Sequence, residues 1–364
     1  MSNNKSDELG ILPIGKLLVK QSVPAAVGFM VMSVNMVVDT LFVGNIVGDD
    51  GIGAISTVMP VIFLIAAFGM AIGSGGASIV SRALGANDKQ KSSLAFNNQI
   101  TITIIVNIVL LAAVMLNEER LLTLFGAIGT LREPARVYLE ILVIGVPLLS
   151  WAMMANSNLR AEGKPKVAML VLIAPAIVNV FLDYIFIYLF EMEMKGAGLA
   201  TSISYGISAL ISIIFYASGR GELKIRLADL KLKWTMVKEI TSLGSVNLIR
   251  QGVITVLAVI VNIQLLKYAT DFGITGEQGI SVYGISSRIA MFAFFPMIGI
   301  AQGFVPIAGY NYGAHKYDRL KKVVKLSLIW GTILAFLVSG LILFNADNIA
   351  PLFLKDPSAE IIAV

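Results

Sequence analysis

The stretch Val34-Asn-Met-Val-Val-Asp-Thr-Leu-Phe-Val-Gly44 places one carboxylate, Asp39, inside a hydrophobic segment that is long enough to cross a bilayer. An ionisable group at that depth costs about 2.5–3.5 kcal/mol on insertion scales, and it usually faces a protein interior or a water-filled cavity. The stretch therefore predicts a membrane helix that packs against other helices and turns Asp39 toward them.

The rest of the chain is apolar as well. Its 364 residues are 57% hydrophobic and 14% charged, with a mean hydropathy of +0.82, well above that of an average soluble domain. Runs of about 20 apolar residues, each enough to span the hydrocarbon core, recur along the chain. We predict an all-α polytopic membrane protein with spans near residues 17–43, 53–80, 93–116, 136–158, 167–190, 197–217, 240–267, 280–306 and 320–344, and the start of a tenth at 357–364.

The composition excludes several classes of function. Only short loops separate the apolar runs, which leaves no room for a separate soluble catalytic domain of about 50 or more residues. The chain has no cysteine and a single histidine, His315, so thiolate chemistry and a histidine-based metal cluster or triad are not available. We expect no enzyme activity and no cofactor. We also expect no nucleic acid partner, because the net charge of +5 lies in the loops, where it sets topology.

Lysine and arginine residues concentrate in alternate loops. The N-terminal segment and the loops near 82–91, 160–166, 220–238 and 316–325 are rich in them, whereas the intervening loops hold few. By the positive-inside rule, the first set faces the cytoplasm. We expect the cytoplasmic membrane of a bacterium or an archaeon, with the N-terminus inside the cell.

The sequence repeats itself weakly. Sliding it by 228 positions places Gly85 over Gly313, and one gapless register then covers helices and loops alike. An offset that contains six spans keeps both copies in the same orientation, as in transporters built from parallel repeats. We predict an N-lobe at 1–219, a cytoplasmic inter-lobe loop at 220–238 and a partial C-lobe at 239–364. In this register residue 364 falls over residue 136, so we expect either a truncated product or a fragment.

A second carboxylate, Asp183, lies in the apolar segment Val178-Asn-Val-Phe-Leu-Asp-Tyr-Ile-Phe-Ile-Tyr188. Asn179 precedes it by one helical turn, so the two side chains share a helix face. Two buried acids flanked by amides are typical of a cation or proton site.

Several motifs, taken in order, resemble one transporter family, the multidrug and toxic compound extrusion (MATE) transporters, nearest their DinF-like branch. The resemblance covers essentially the whole chain. The motifs are Asp39-Thr-Leu-Phe-Val-Gly44, Gly51-Ile-Gly-Ala-Ile55, Arg160-Ala-Glu-Gly-Lys-Pro165, Asn179-Val-Phe-Leu-Asp-Tyr-Ile-Phe-Ile187 and Gly303-Phe-Val-Pro-Ile-Ala-Gly-Tyr-Asn-Tyr-Gly-Ala314.

The resemblance implies about twelve helices in two six-helix lobes, of which this chain holds the first and part of the second. It implies alternating access and export of organic cations or drugs, driven by inward flow of Na⁺ or H⁺. It also implies that Asp39, Asn179, Asp183 and Thr201 form the coupling site, which would be the metal site if the ion is Na⁺. Two carboxylates, an amide carbonyl and a hydroxyl serve either ion, so the choice stays open.

Other polar side chains in the spans are candidates for the substrate cavity. Amides in membrane helices also serve as interhelical contacts, and an arginine near a helix end also extends to the interface, so a structural role is the alternative for each. The candidates are Asn35, Met36, Asn156, Asn158, Gln251, Arg250 and Gln302.

Two other functions stay open. One is a flippase for lipid-linked sugars, although its phosphate-bearing substrates favour a cationic cavity and the first lobe holds buried acids. The other is a truncated membrane protein that transports nothing. For a transporter we expect membrane lipid around a monomer, the latter by analogy only.

Overall fold

The computed structural model describes residues 5–268 and 276–345, and within these ranges it contains nine long helices and no strand. Seven of the nine are long and apolar enough to cross a membrane. The prediction of an all-α polytopic fold is confirmed. The helices are α1 (Ile14–Ile46), α2 (Asp49–Gly85), α3 (Lys89–Leu116), α4 (Arg132–Ala161), α5 (Pro165–Asp183), α6 (Glu193–Ala217), α7 (Trp234–Tyr268), α8 (Gly276–Gly313) and α9 (Tyr317–Phe344).

Most of the long helices extend past their predicted spans. The span predicted at 280–306, for example, is part of the helix Gly276–Gly313. Hydropathy marks the part of a helix that suits hydrocarbon, while the helical backbone continues into the polar interface. For the same reason α7 begins at Trp234, inside the predicted loop 220–238, so the connection between α6 and α7 is shorter than predicted.

We call residues 1–219 the first lobe and the residues from 239 onward the second lobe, as predicted above. Helix α1 packs along α8, and helix α2 packs along both α7 and α8. In the predicted repeat register α7 corresponds to α1 and α8 to α2, so the α1–α8 and α2–α7 contacts are equivalent under that register. Within the first lobe, α4 packs against both α2 and α6, and α5 lies between α1 and α6.

Apolar side chains form two separate cores. The first lies at the end of the molecule that holds Lys164 and Lys316, which we call the basic end, and it joins Leu17 of the first lobe to Ile240 and Ile307 of the second. The other core, around Tyr138, lies toward the opposite end, and its fully buried members among the described residues all belong to the first lobe. Apolar burial therefore joins the lobes at the basic end.

Glycine allows the helices to approach closely there. A Cβ atom at Gly75 of α2 would overlap the carbonyl oxygen of Ile240 and the backbone of Gly244 in α7. A Cβ atom at Gly313 of α8 would overlap the carbonyl oxygen of Arg82 in α2. Small residues at such crossings allow backbone-to-backbone contact between membrane helices.

The connection between the lobes is fixed to α3. The Asn97 amide donates to the carbonyl oxygen of Lys224 at 2.9 Å and its Oδ1 accepts from the backbone N–H of Arg226 at 2.9 Å. The Asn98 Oδ1 accepts from the backbone N–H of Lys233 at 2.8 Å. The side-chain amides of two adjacent residues thus satisfy backbone groups of the loop, in the way that side chains satisfy backbone groups at the end of a helix.

Glu162, just after α4, holds the start of the same loop. Its side chain is fully buried, and Oε1 accepts from the backbone N–H of Leu223. Burial raises the pKa of the Glu162 carboxyl to about 8, and the backbone hydrogen bond from Leu223 opposes that rise. The loop is therefore anchored to the first lobe by a carboxyl group whose ionised form is disfavoured by burial.

A valine at Gly75 should separate the lobes at the basic end, because its side chain would occupy the space of the Ile240 carbonyl. The chain has no cysteine, so a cysteine pair at the exposed positions Lys91 and Lys322 can carry two spin labels. We expect electron–electron distance measurements on Gly75→Val to shift toward longer distances. The matched control is Gly331→Val, since no heavy atom lies within 4 Å of a Cβ built there. An unchanged distribution in Gly75→Val would contradict this account of the contact.

The Glu162 carboxyl should make stability fall as pH rises. Between pH 4.5, its ordinary pKa, and about 8, the unfolded chain has released this proton while the folded chain keeps it, so this group lowers the free energy of unfolding with increasing pH. Thermal unfolding in detergent should show that the Tm of Glu162→Gln rises relative to the Tm of the wild type as the pH increases across this window. The exposed Glu191→Gln serves as control and should run parallel to the wild type. Parallel curves for Glu162→Gln would contradict the assignment.

Candidate functional site

Two carboxyl groups meet inside the first lobe. Asp39 of α1 is 6% exposed and Asp183 at the end of α5 is fully buried, and their side chains lie close enough to interact directly. Asp39 Oδ1 and Asp183 Oδ2 have no hydrogen-bond partner among the described residues. Two carboxylates in contact repel each other unless a proton or a cation lies between them. The pair can therefore bind such an ion.

Amide side chains extend from this pair along the α1–α5 interface. The Asn35 Nδ2 donates to Asn179 Oδ1 at 2.6 Å and approaches the carbonyl oxygen of Ala176 at 3.4 Å. The Asn179 Nδ2 in turn donates to Asp183 Oδ1 at 3.4 Å. Asn35 and Asp39 share a face of α1, and Asn179 and Asp183 share a face of α5. The two faces meet, so a change in charge at Asp183 is felt through Asn179 at Asn35.

Two tyrosines complete the surroundings of the acids. Tyr138 of α4 is buried and Tyr205 of α6 is half-buried, and both lie close enough to Asp39 to interact with its charge. Sequence reasoning missed them. A signal existed, because a tyrosine in an apolar span needs a partner for its hydroxyl group.

Thr201 enters this group through a tyrosine. It is 9% exposed, and its side chain lies close enough to interact with Tyr138, which also lies within electrostatic range of Asp183. Of the four predicted coupling residues, Asp39, Asn179 and Asp183 thus lie in one chain of contacts. Thr201 is connected to the acids only through Tyr138 among the interactions described above.

The local shape of α5 explains how Asn179 and Asp183 reach α1. Pro175 lacks an N–H, so the carbonyl of Val171 loses its helical partner, and the Ser208 hydroxyl of α6 donates to it at 2.6 Å. Immediately after Asp183 the chain forms a π-helical turn, Tyr184–Leu189. Such turns occur mostly as single insertions and are frequent at functional sites. The acid thus lies between two irregular parts of one span.

The structure places two other candidates away from the acids. The Asn156 amide donates to the carbonyl oxygen of Ala168 at 2.5 Å, while its Oδ1 accepts from Arg160. Asn158 is fully buried and exchanges hydrogen bonds with Gln99. Their recorded contacts hold α4 to α5 and to α3, which is the structural alternative considered for them.

The remaining candidates have varied positions. Met36 is half-buried on α1, one turn before the Thr40 hydroxyl that donates to its carbonyl oxygen. Gln302 of α8 is half-buried at the basic end, beside Arg160, and Arg250 of α7 is exposed. The side chain of Gln251 lies outside the part of the chain that the structure describes. None of these contacts the acids among the recorded interactions of the described residues.

Comparisons with known proteins agree on one family. A family model described as MatE matches residues 24–185 and 247–364. The multidrug export protein MepA of Staphylococcus haemolyticus (strain JCSC1435) is 26% identical over 350 residues, which cover 96% of this chain and 76% of that protein. MepA of Staphylococcus aureus (strain NCTC 8325 / PS 47) is 26% identical over 313 residues, covering 86% of this chain and 68% of that protein.

Solved structures share the fold. A MOP superfamily transporter from Pyrococcus furiosus, described as having a binding pocket of reverse polarity that suggests a different function, superposes with a TM-score of 0.91. It is 23% identical, and the match covers 100% of this chain and 78% of that chain. A MATE crystallised in complex with MaL6 gives a TM-score of 0.90 at 24% identity, covering 100% of this chain and 79% of that chain.

The Ser208 hydroxyl should contribute to the free energy of unfolding only when Pro175 is present. We expect Ser208→Ala to lower the free energy of unfolding by about 0.6–1.7 kcal/mol, the range measured for interhelical hydrogen bonds in membranes. In a Pro175→Ala background the restored backbone N–H can satisfy the Val171 carbonyl, so the same change should cost close to nothing. Chemical unfolding of the four variants in mixed micelles measures this cycle. Equal costs in both backgrounds would contradict the assigned partnership.

Proposed function

This chain belongs to the MatE family of multi-pass membrane transporters, and from that premise we propose that it exports small organic cations across the cytoplasmic membrane in exchange for inward-moving H⁺ or Na⁺. The names of the staphylococcal relatives, which are multidrug export proteins, support a drug-like substrate. In this proposal the substrate meets a monomer surrounded by membrane lipid.

The contact between Asp39 and Asp183 carries the proposal. One acid belongs to α1 and the other to α5, so the charge between them decides whether these two helices attract or repel each other. A bound H⁺ or Na⁺ allows the contact, and its release leaves two negative charges that an organic cation can neutralise. The two ligands thus compete for the same charge. This competition is what exchange requires.

H⁺ and Na⁺ use the site differently. A proton needs only the two carboxyl groups, which already touch. Na⁺ needs several hard oxygens. Asp39 Oδ1 and Asp183 Oδ2 are free to supply two of them, and Thr201 supplies a third if its bond to Tyr138 is exchanged. The donor set fits both ions, and the gradient that drives export distinguishes them.

The contact between the lobes supplies the conformational part of the proposal. With the basic end on the cytoplasmic side, as the distribution of charged residues predicts, the arrangement described is closed toward the cytoplasm. A second arrangement with the basic end separated completes alternating access. A cation shifts this equilibrium only if it binds the two arrangements with different affinity. The acid pair provides such a difference if the α1–α5 contact changes between them.

Neutralising either acid should abolish gradient-driven export. We expect Asp39→Asn and Asp183→Asn each to lower export of ethidium from proteoliposomes by about 5- to 150-fold, the range of a typical coupling free energy. An imposed pH gradient and an imposed Na⁺ gradient are applied separately, and the one that drives export by the wild type names the ion.

Asp318→Asn is the matched control, since this aspartate is exposed at the start of α9. It should retain wild-type export. Full retained export by Asp39→Asn, at equal protein incorporation, would contradict the coupling role. Equal export by all variants without any gradient would contradict exchange altogether.

A further inference from the structure

A small cavity lies between the lobes at the basic end. It encloses about 30 Å³, which is room for about two water molecules. Helices α2 and α4 of the first lobe and α8 of the second lobe form its walls. The lining residues are Ser74, Ala77, Ser157, Arg160, Ala161, Gln302, Val305 and Pro306.

Arg160 brings a full positive charge to this cavity. Its side chain is 2% exposed, and Nε and Nη2 both donate to the single oxygen Asn156 Oδ1. Nη1 has no hydrogen-bond partner among the described residues. The ring of Phe29 lies 5.5 Å from the guanidinium carbon, which attracts the cation without neutralising it.

No carboxylate balances this charge in the part of the chain that the structure describes, where no ion pair includes Arg160. The nearby Arg82 shows the contrast, since its Nη2 pairs with Glu239 at 3.0 Å. The acid nearest in sequence to Arg160, Glu162, directs Oε1 to the backbone of Leu223 instead. A buried charge without a counter-charge costs several kcal/mol.

The cavity offers donors to an anion and apolar walls around it. Gln302 lines it from α8, and no recorded hydrogen bond of the described residues occupies its amide. The hydroxyl groups of Ser74 and Ser157 already donate within their own helices, at 3.2 Å each. A water molecule would satisfy Nη1 but leave the charge, whereas an anion satisfies both.

We propose that this cavity binds one chloride-sized inorganic anion, held by Nη1 of Arg160 and the side-chain amide of Gln302. A volume of about 30 Å³ favours a small ion over a larger one. Because Arg160 belongs to the first lobe and Gln302 to the second, the anion contacts both lobes. It therefore stabilises the arrangement in which they are joined at the basic end. This site is separate from the acid pair and does not depend on the proposed export.

Halide replacement on the purified 364-residue chain tests the proposal. At constant Na⁺ and constant ionic strength, replacing gluconate by chloride or bromide should raise the Tm by about 2–4 °C and then saturate. Crystals grown in bromide should show an anomalous peak beside Arg160 and Gln302. The proposal would be overturned if the Tm did not change with the halide, or if no bromide peak appeared at this position.

Two variants separate the site from general salt effects. Gln302→Leu removes one donor and should weaken the halide response while leaving the fold intact. Arg160→Met removes the charge, so it should lose the response and, in gluconate, be at least as stable as the wild type, because a buried unpaired charge has been replaced by an apolar group. Arg82→Gln is the control and should keep the full halide response. A response that survives undiminished in both site variants would refute the assignment.

Discussion

Two carboxyl groups in contact inside an apolar bundle repel each other, and the first lobe is arranged around that repulsion. Asp39 and Asp183 come from helices that are distant in sequence, and Asp183 lies between Pro175 and the π-helical turn that follows it. The side chains of Tyr138 and Tyr205 and the amides of Asn35 and Asn179 surround them. Low dielectric strengthens every one of these interactions. The packing of α1 against α5 therefore depends on the charge that these two acids carry.

Different interactions stabilise the two ends of the molecule. At the basic end, glycine contacts and a continuous apolar core bring α2 and α7 backbone to backbone. Toward the other end, the second core belongs to the first lobe alone among the described residues, and the polar group around Asp39 adjoins it. The close contact between the lobes and the polar group around Asp39 are therefore separate features of the structure, one at the basic end and the other inside the first lobe.

Much of this was predictable from the sequence, and the failures have physical reasons. Apolar runs of helical length predicted the all-α fold, since a bilayer allows few alternatives. The pairing of Asn179 with Asp183 followed from helical spacing. Asn156 and Asn158 were harder, because an amide that lines a cavity and one that joins two helices have the same sequence signature. Tyr138 was missed for the opposite reason: a buried tyrosine looks like core until its hydroxyl partner is known. The lack of a counter-charge at Arg160 could not be predicted, because it depends on which side chains the fold brings near the guanidinium group among the described residues.

The attachment of the inter-lobe loop to α3 has a mechanical consequence. Asn97 and Asn98 hold the loop from Lys224 to the N–H of Lys233, and α7 begins at the next residue, Trp234. A free linker of that length would let the second lobe drift and would cost entropy at each closure. Here the last residue before α7 is held at the surface of α3. The second lobe therefore joins the first at a fixed point, and bringing the two together costs less chain entropy than a free linker would cost.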